Sequence, residues 1–252
     1  LRLFNVHPDE TRVVVGLFLY SFVLGVARVF ILTASQAIFL EHYAAADLSY
    51  VYMLAGLATI GASAGYLYLG RHLSLRWQIL VNLVLTLVIT VALRALLGGT
   101  DARWPAMALA VWFHVLFALT SVAFWGAATQ VVDIRQGKRL FSLVTMGDVL
   151  AFSLGGFLII QMVETIGTEN LLIVGSLGLG AAVLSFLGLS RLNPAPFRLG
   201  GPGLEEEKRR GRVSWSSPYL RLMMAYMVIS AVVFVLVDNA FNDVAQGRYE
   251  DT

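Results

Sequence analysis

The chain has 252 residues, 58% of them hydrophobic and 13% charged, with a formal net charge of +2 and a mean hydropathy of +0.76. A soluble domain carries about 25% charged residues, so a water-soluble fold is excluded, and so small a net charge offers nucleic acid no electrostatic footing. Without cysteine there are no disulfides, thiolate metal sites or cysteine nucleophiles.

A bilayer's hydrocarbon core, about 30 Å thick, takes about 20 helical residues. Seven apolar stretches reach that length: 13–40, 50–70, 77–97, 105–132, 143–163, 171–190 and 219–242. The first is too long for a signal-peptide core and no cleavage motif follows it, so it is read as structure. The start at Leu1 rather than Met points to a sequence that is not a whole gene product.

Span one carries Arg28 near its middle. A cation at that depth costs at least ~2.5 kcal/mol and survives by facing a cavity or a partner. At helical spacing Arg28 shares a face with Ser21, Gly25 and Ser35, a small, polar stripe fit to line a water-filled path. Its planar fork suits phosphate or carboxylate; the plainer role is a structural arginine held by another helix. Glycines and small residues recur as Gly61-x-x-x-Gly65 in span two, Gly155-Gly156 in span five and Ser176-x-x-x-Gly180 in span six. These predict close helix approach. They lie inside apolar helices, so no phosphate-binding loop is present.

On span four, His114, Ala118, Ser121 and Trp125 fall on one face. His114 could read a solute or a proton, or only pack; Trp125 could stack a ring, or sit at the membrane interface. Between spans four and five come Asp133, Arg135, Lys138 and Arg139, and Asp148 follows within span five. Asp148 is about five residues above the inner end of its span, roughly 8 Å, whereas Arg28 is about fifteen residues above its own, roughly 22 Å. A direct pair is therefore not expected, and Asp148 is expected to hold Arg135, Arg139 or a helix end near an inner gate. Toward its outer end, span seven is polar at Asp238, Asn239 and Asn242.

Arginine and lysine counts set the orientation. Arg2, Arg12, Arg71, Arg76, Arg135, Lys138, Arg139 and the cluster from Arg191 to Arg221 all fall on one side, which is then cytoplasmic. Segment 191–218 holds Pro194, Pro196, Pro202 and Pro218, the pair Gly200-Gly201 and the block Glu205-Glu206-Glu207-Lys208-Arg209-Arg210. Proline and glycine stop helices and mixed charge stays solvated, so this is a cytoplasmic linker. No paired-carboxylate, His-Glu-x-x-His or serine-triad pattern occurs, and neither an enzyme nor a cofactor is expected.

Six spans, a long cytoplasmic loop and a seventh span resemble the major facilitator superfamily, whose six-helix halves are each built from inverted three-helix repeats. A sharper resemblance lies at the end of span four. Phe124-Trp125-Gly126-Ala127-Ala128-Thr129-Gln130, followed by Asp133-Ile134-Arg135-Gln136-Gly137-Lys138-Arg139-Leu140-Phe141-Ser142-Leu143, is similar to the ATP/ADP translocase (nucleotide transporter) family of plastids and intracellular bacteria. The register runs without a gap from Phe124 to Gly147, and Leu3-Phe4-Asn5-Val6 shares the flavour of bacterial members. Thr129, Gly137 and Ser142 depart from the family's asparagine, alanine and proline, and its span-four glutamate falls here on Phe113.

The resemblance implies an all-α membrane protein: a six-helix facilitator-type amino-terminal bundle (1–190), the linker (191–218) and a seventh helix (219–252) opening a second bundle. It also implies a cytoplasmic N-terminus and a bacterial inner-membrane location. The function implied is alternating-access transport of a small anionic solute, a nucleotide in this family. Arg28, His114, Trp125 and Asn239 are the expected contacts to the solute, with Asp148, Asp133, Arg135, Lys138 and Arg139 at a gate or coupling site. The expected partners are membrane lipids and either the carboxy-terminal half or another membrane subunit. Phe113 in place of the acid favours the alternative, a non-transporting facilitator-fold subunit with a docking or assembly role.

Overall fold

A computed structural model describes residues 11–99, 102–132, 134–192 and 218–250; the side chains of 134–139 and of several residues on the last helix lie outside that description. The described residues form α1 (Thr11–His42), a short 3-10 turn (Ala45–Asp47), α2 (Leu48–His72), α3 (Leu75–Gly99), α4 (Trp104–Val131), α5 (Ile134–Ile166), α6 (Leu171–Leu192) and α7 (Pro218–Glu250), with no strand. All seven helices are long and apolar enough to cross a membrane, which is the make-up of a multi-pass membrane protein. Every backbone donor and acceptor inside such a helix is satisfied within the segment, as hydrocarbon requires.

Most helices overrun their apolar stretches by a turn or less. α5 and α7 are the exceptions. α5 begins at Ile134, well before the apolar run that opens at 143, and α7 continues to Glu250, well past the run that closes at 242, because helix geometry does not end where charge begins. Pro105 and Pro218 stand in the first turns of α4 and α7, where the missing N–H loses no helical hydrogen bond. The linker's core, 193–217, lies outside the described residues.

The packing has an internal symmetry that no local sequence identity announces. α1 packs mainly on α5 and α6 and also on α4; α4 in turn packs on α2 and α3; and α3 meets α6. Exchanging α1 with α4, α2 with α5 and α3 with α6 returns the same set of pairs, including the weaker α2–α3 and α5–α6 contacts. Burial follows the exchange: α1 and α4 are the most deeply buried, α3 and α6 come next, and α2 and α5 are the most open of the six. Two three-helix units therefore make one bundle whose central pair is α1 and α4.

Small residues let α1 approach its neighbours. A Cβ added at Gly147 would lie 2.6 Å from the Phe18 carbonyl oxygen and 2.9 Å from the Phe22 nitrogen, and one at Gly25 would lie 2.7 Å from the Ala151 Cβ. Such contact is how membrane helices associate when lipid is as apolar as leucine. The expected close approach at Gly61 and Gly65 is not found, since neither meets an atom within 4 Å. They lie on the side of α2 turned away from α4, and no described helix covers that side.

Polar side chains join α3 to its neighbours. Gln78 Nε2 donates to the Tyr66 carbonyl at 2.8 Å, Asn82 Nδ2 to the Leu119 carbonyl at 3.1 Å, and Trp112 Nε1 to Thr90 Oγ1 at 3.0 Å. In hydrocarbon each such bond contributes about 0.6 kcal/mol on average. α7 stands apart from the six, touching mainly the 3-10 turn and α2.

Candidate functional site

Arg28 projects from α1 toward α4 and α5 and is only 6% exposed. Its Nε and one terminal nitrogen donate to Thr120 Oγ1 at 3.2 and 2.9 Å, and the same nitrogen donates to Ser121 Oγ at 3.0 Å. Thr120 can accept both because its own hydroxyl donates to the Leu116 carbonyl at 2.7 Å. The other terminal nitrogen, Nη1, lies 3.4 Å from the Asp148 carboxylate. The Phe117 ring closes the remaining side, its centroid 4.8 Å from the guanidinium carbon, within the range of a cation–π contact. α4 thus grips one edge of the cation firmly, and the edge facing Asp148 is held by a single long contact.

That edge borders a cavity of about 210 Å³ lined by residues of α1, α4 and α5, among them Ser21, Arg28, Phe117, Ser121, Trp125 and Asp148. Water's share of liquid volume is about 30 Å³, so the space takes several waters or the charged head of a small solute. The Asp148 side chain is 33% exposed against 7% for Arg28. The carboxylate is the accessible member of the pair and the guanidinium the anchored one.

The pairing corrects the depth expected from the apolar runs. Measured from where the helices begin, Arg28 is about 17 residues into α1 and Asp148 about 14 into α5, roughly 26 and 21 Å along the axes. They are nearly level. Measuring Asp148 from the first apolar residue of its span had discarded the charged opening turns of α5, which are helical.

The other expected site residues separate. Trp125 lines the Arg28 cavity and is 40% exposed, with its ring edge-on to Phe141 at 5.5 Å. Ser21 lines it too, Gly25 backs onto Asp148, and Ser35 turns instead to the Leu32 carbonyl. His114 is about two turns along α4 from Ser121, roughly 10 Å, in a narrow crevice shared with Gln36, Tyr52 and Asp238. Its Nδ1 lies 3.0 Å from the Ala110 carbonyl of its own helix, and its ring meets Tyr52 edge-on at 5.6 Å. Asn239 lines neither space. Asp133 and the side chains of Arg135, Lys138 and Arg139 lie outside the described residues.

Two groups escaped the sequence reading. Thr120 is the main acceptor for Arg28; the only adjacent hydroxyl pair on α4, Thr120-Ser121, was the available sign. Asp238, read merely as outer polarity, accepts from Tyr52 Oη at 2.5 Å and Gln36 Nε2 at 3.5 Å. It ties α7 to α1 and α2.

Among the described residues no group of three or more His, Asp or Glu could hold a metal ion. No family model, curated protein or solved structure matches this chain. What the geometry defines, among the described residues, is an all-α bundle of membrane-length helices with a buried, anchored arginine at the wall of a cavity of mixed polar and apolar lining.

Thr120→Val tests the anchor. It removes the acceptor of two guanidinium donors while keeping the shape, and leaving buried donors unpaired costs about 1–3 kcal/mol. The expected result is a corresponding fall in thermal stability in detergent; a melting temperature unchanged from the parent would show that the anchor carries no weight.

Proposed function

We propose that this chain forms one wall of an alternating-access transporter for a small anionic solute, with Arg28 as the anion contact. The observation that carries the reading is the Nη1 edge of Arg28, open to the α1–α4–α5 cavity while α4 anchors the opposite edge. An intramembrane ion pair marks a solute or ion path by default, and a guanidinium matches carboxylate and phosphate oxygens. The exchange symmetry of the six helices supports a facilitator-type bundle with α1 and α4 at its centre. The resemblance around Phe124 to Leu143 makes a nucleotide the first solute to try. The second wall comes from the same protein or from a partner subunit, and the arginine distribution puts the N-terminus in the cytoplasm.

The test is uptake of ATP, inorganic phosphate and benzoate by proteoliposomes holding the full-length protein, with Arg28→Ala as the comparison. Uptake of at least one of them, abolished by Arg28→Ala, is the expected result. No uptake of any of the three overturns it. Phe113, 7% exposed and packed against Phe117 and His114, stands where the nucleotide family has its acid. That favours the second reading, a facilitator-fold subunit that docks to another membrane complex, which stable co-purification without flux would support.

A further inference from the structure

The long contact between Arg28 and Asp148 has a consequence for any anion that enters the cavity. Resting on the anion-contact reading of Arg28, we propose that Asp148 is a proton-binding site which shares Arg28 with the solute, so that each anion bound brings one proton with it.

The groups around the cavity allow little else. Arg28 keeps three contacts to Thr120 and Ser121 whatever happens at Nη1, so its charge stays in place when an anion arrives. The only edge it can offer is the one facing Asp148, 3.4 Å away. A carboxylate or phosphate oxygen reaching Nη1 displaces the aspartate. Asp148 then faces a like charge in a membrane interior, where an uncompensated carboxylate is expensive. Among the described side chains no second cation replaces Arg28: α4 has His114 as its one titratable residue, two turns away, and α6 has only Arg191, in its last turn. Tyr20 and Arg28 are the titratable groups of α1 nearest that level, and a phenol supplies no positive charge. The aspartate therefore takes up a proton.

The balance closes. Before binding, the guanidinium cation and the carboxylate anion sum to zero. After binding, the guanidinium and the one anionic oxygen group that meets it sum to zero, the added proton sitting on Asp148 as a neutral carboxylic acid; for benzoate this is the whole charge, while the further charges of ATP lie outside this pair. No bond other than O–H forms, and with a monoanion the site crosses its conformational change without net charge, which a low-dielectric path favours. The sign follows: the proton is needed for binding, so affinity falls as pH rises.

The measurement is calorimetry of ATP and benzoate binding to the full-length protein in nanodiscs, in buffers of differing ionisation enthalpy and across neutral pH. The expected result is one proton taken up per anion by the parent protein in excess of Asp148→Asn, with affinity falling about tenfold per pH unit. In Asp148→Asn that pH dependence disappears and binding at neutral pH tightens. The subtraction removes the probe's own titration, and proton uptake by the parent needs no variant to fold. Anion binding with no excess proton uptake overturns the shared-proton site and leaves the anion reading standing. Failure of both probes to bind overturns the two together.

Discussion

With Arg28 as the proposed anion contact, Arg28→Lys is expected to keep the helical fold and to weaken binding of an anion such as ATP by about tenfold, since a two-edged contact is lost. A guanidinium reaches Thr120 with Nε and one terminal nitrogen while offering the other to Asp148 or an anion. An ammonium is a single compact point and cannot span both edges. If it stays with Thr120 and Ser121 it abandons the cavity; if it moves to Asp148 it leaves the hydroxyls. Arg28→Ala goes further and abolishes binding. It leaves Asp148 without its cation and costs about 1–3 kcal/mol, below the full penalty of a broken buried pair, because the one-third-exposed carboxyl can take a proton instead. Binding isotherms and melting curves in detergent read both effects. Lysine binding ATP as well as arginine does would remove Arg28 from the site.

The second large effect is steric. Gly147→Ala places a carbon against two backbone atoms of α1, Phe18 O and Phe22 N. Backbone cannot rotate away as a side chain can, so α1 and α5 must part. Overpacking of this kind costs about 1–3 kcal/mol, and it carries Asp148, the next residue, away from Arg28. Lower stability should therefore accompany a changed pH dependence of binding. Gly156→Ala on the same helix is the control. Its added carbon meets nothing within 4 Å, and alanine's better helix propensity is worth up to about 1 kcal/mol. Equal melting temperatures for the two variants would mean that α1 and α5 do not pack closely at Gly147.

Much of this was legible without coordinates. Seven membrane-length helices follow from hydrocarbon thickness and the near-absence of charge, and each is found within a few residues except at the start of α5 and the end of α7. Arg28 announced itself because a cation at mid-span is too costly to be incidental. Its partners did not. The depth of Asp148 depends on where α5 begins, and apolarity marks where a helix meets lipid rather than where its backbone turns helical. Thr120 looks like any threonine bonding back to its own helix until α1 is placed beside it.

Gly61 and Gly65 show the same boundary from the other side. Their spacing is the kind that brings helices together, yet no helix of the described chain lies against them. Spacing encodes a capacity for contact; the partner is chosen by the whole bundle. By itself, then, the sequence determined element type, number and the presence of a buried cation, because these depend on local chemistry against a fixed bilayer. The tertiary structure alone decided which helices are central, that Arg28 and Asp148 meet, and that His114 stands apart with Tyr52 and Asp238. Those depend on axial offsets of a few ångströms between helices far apart in the chain, to which no single segment's composition is sensitive.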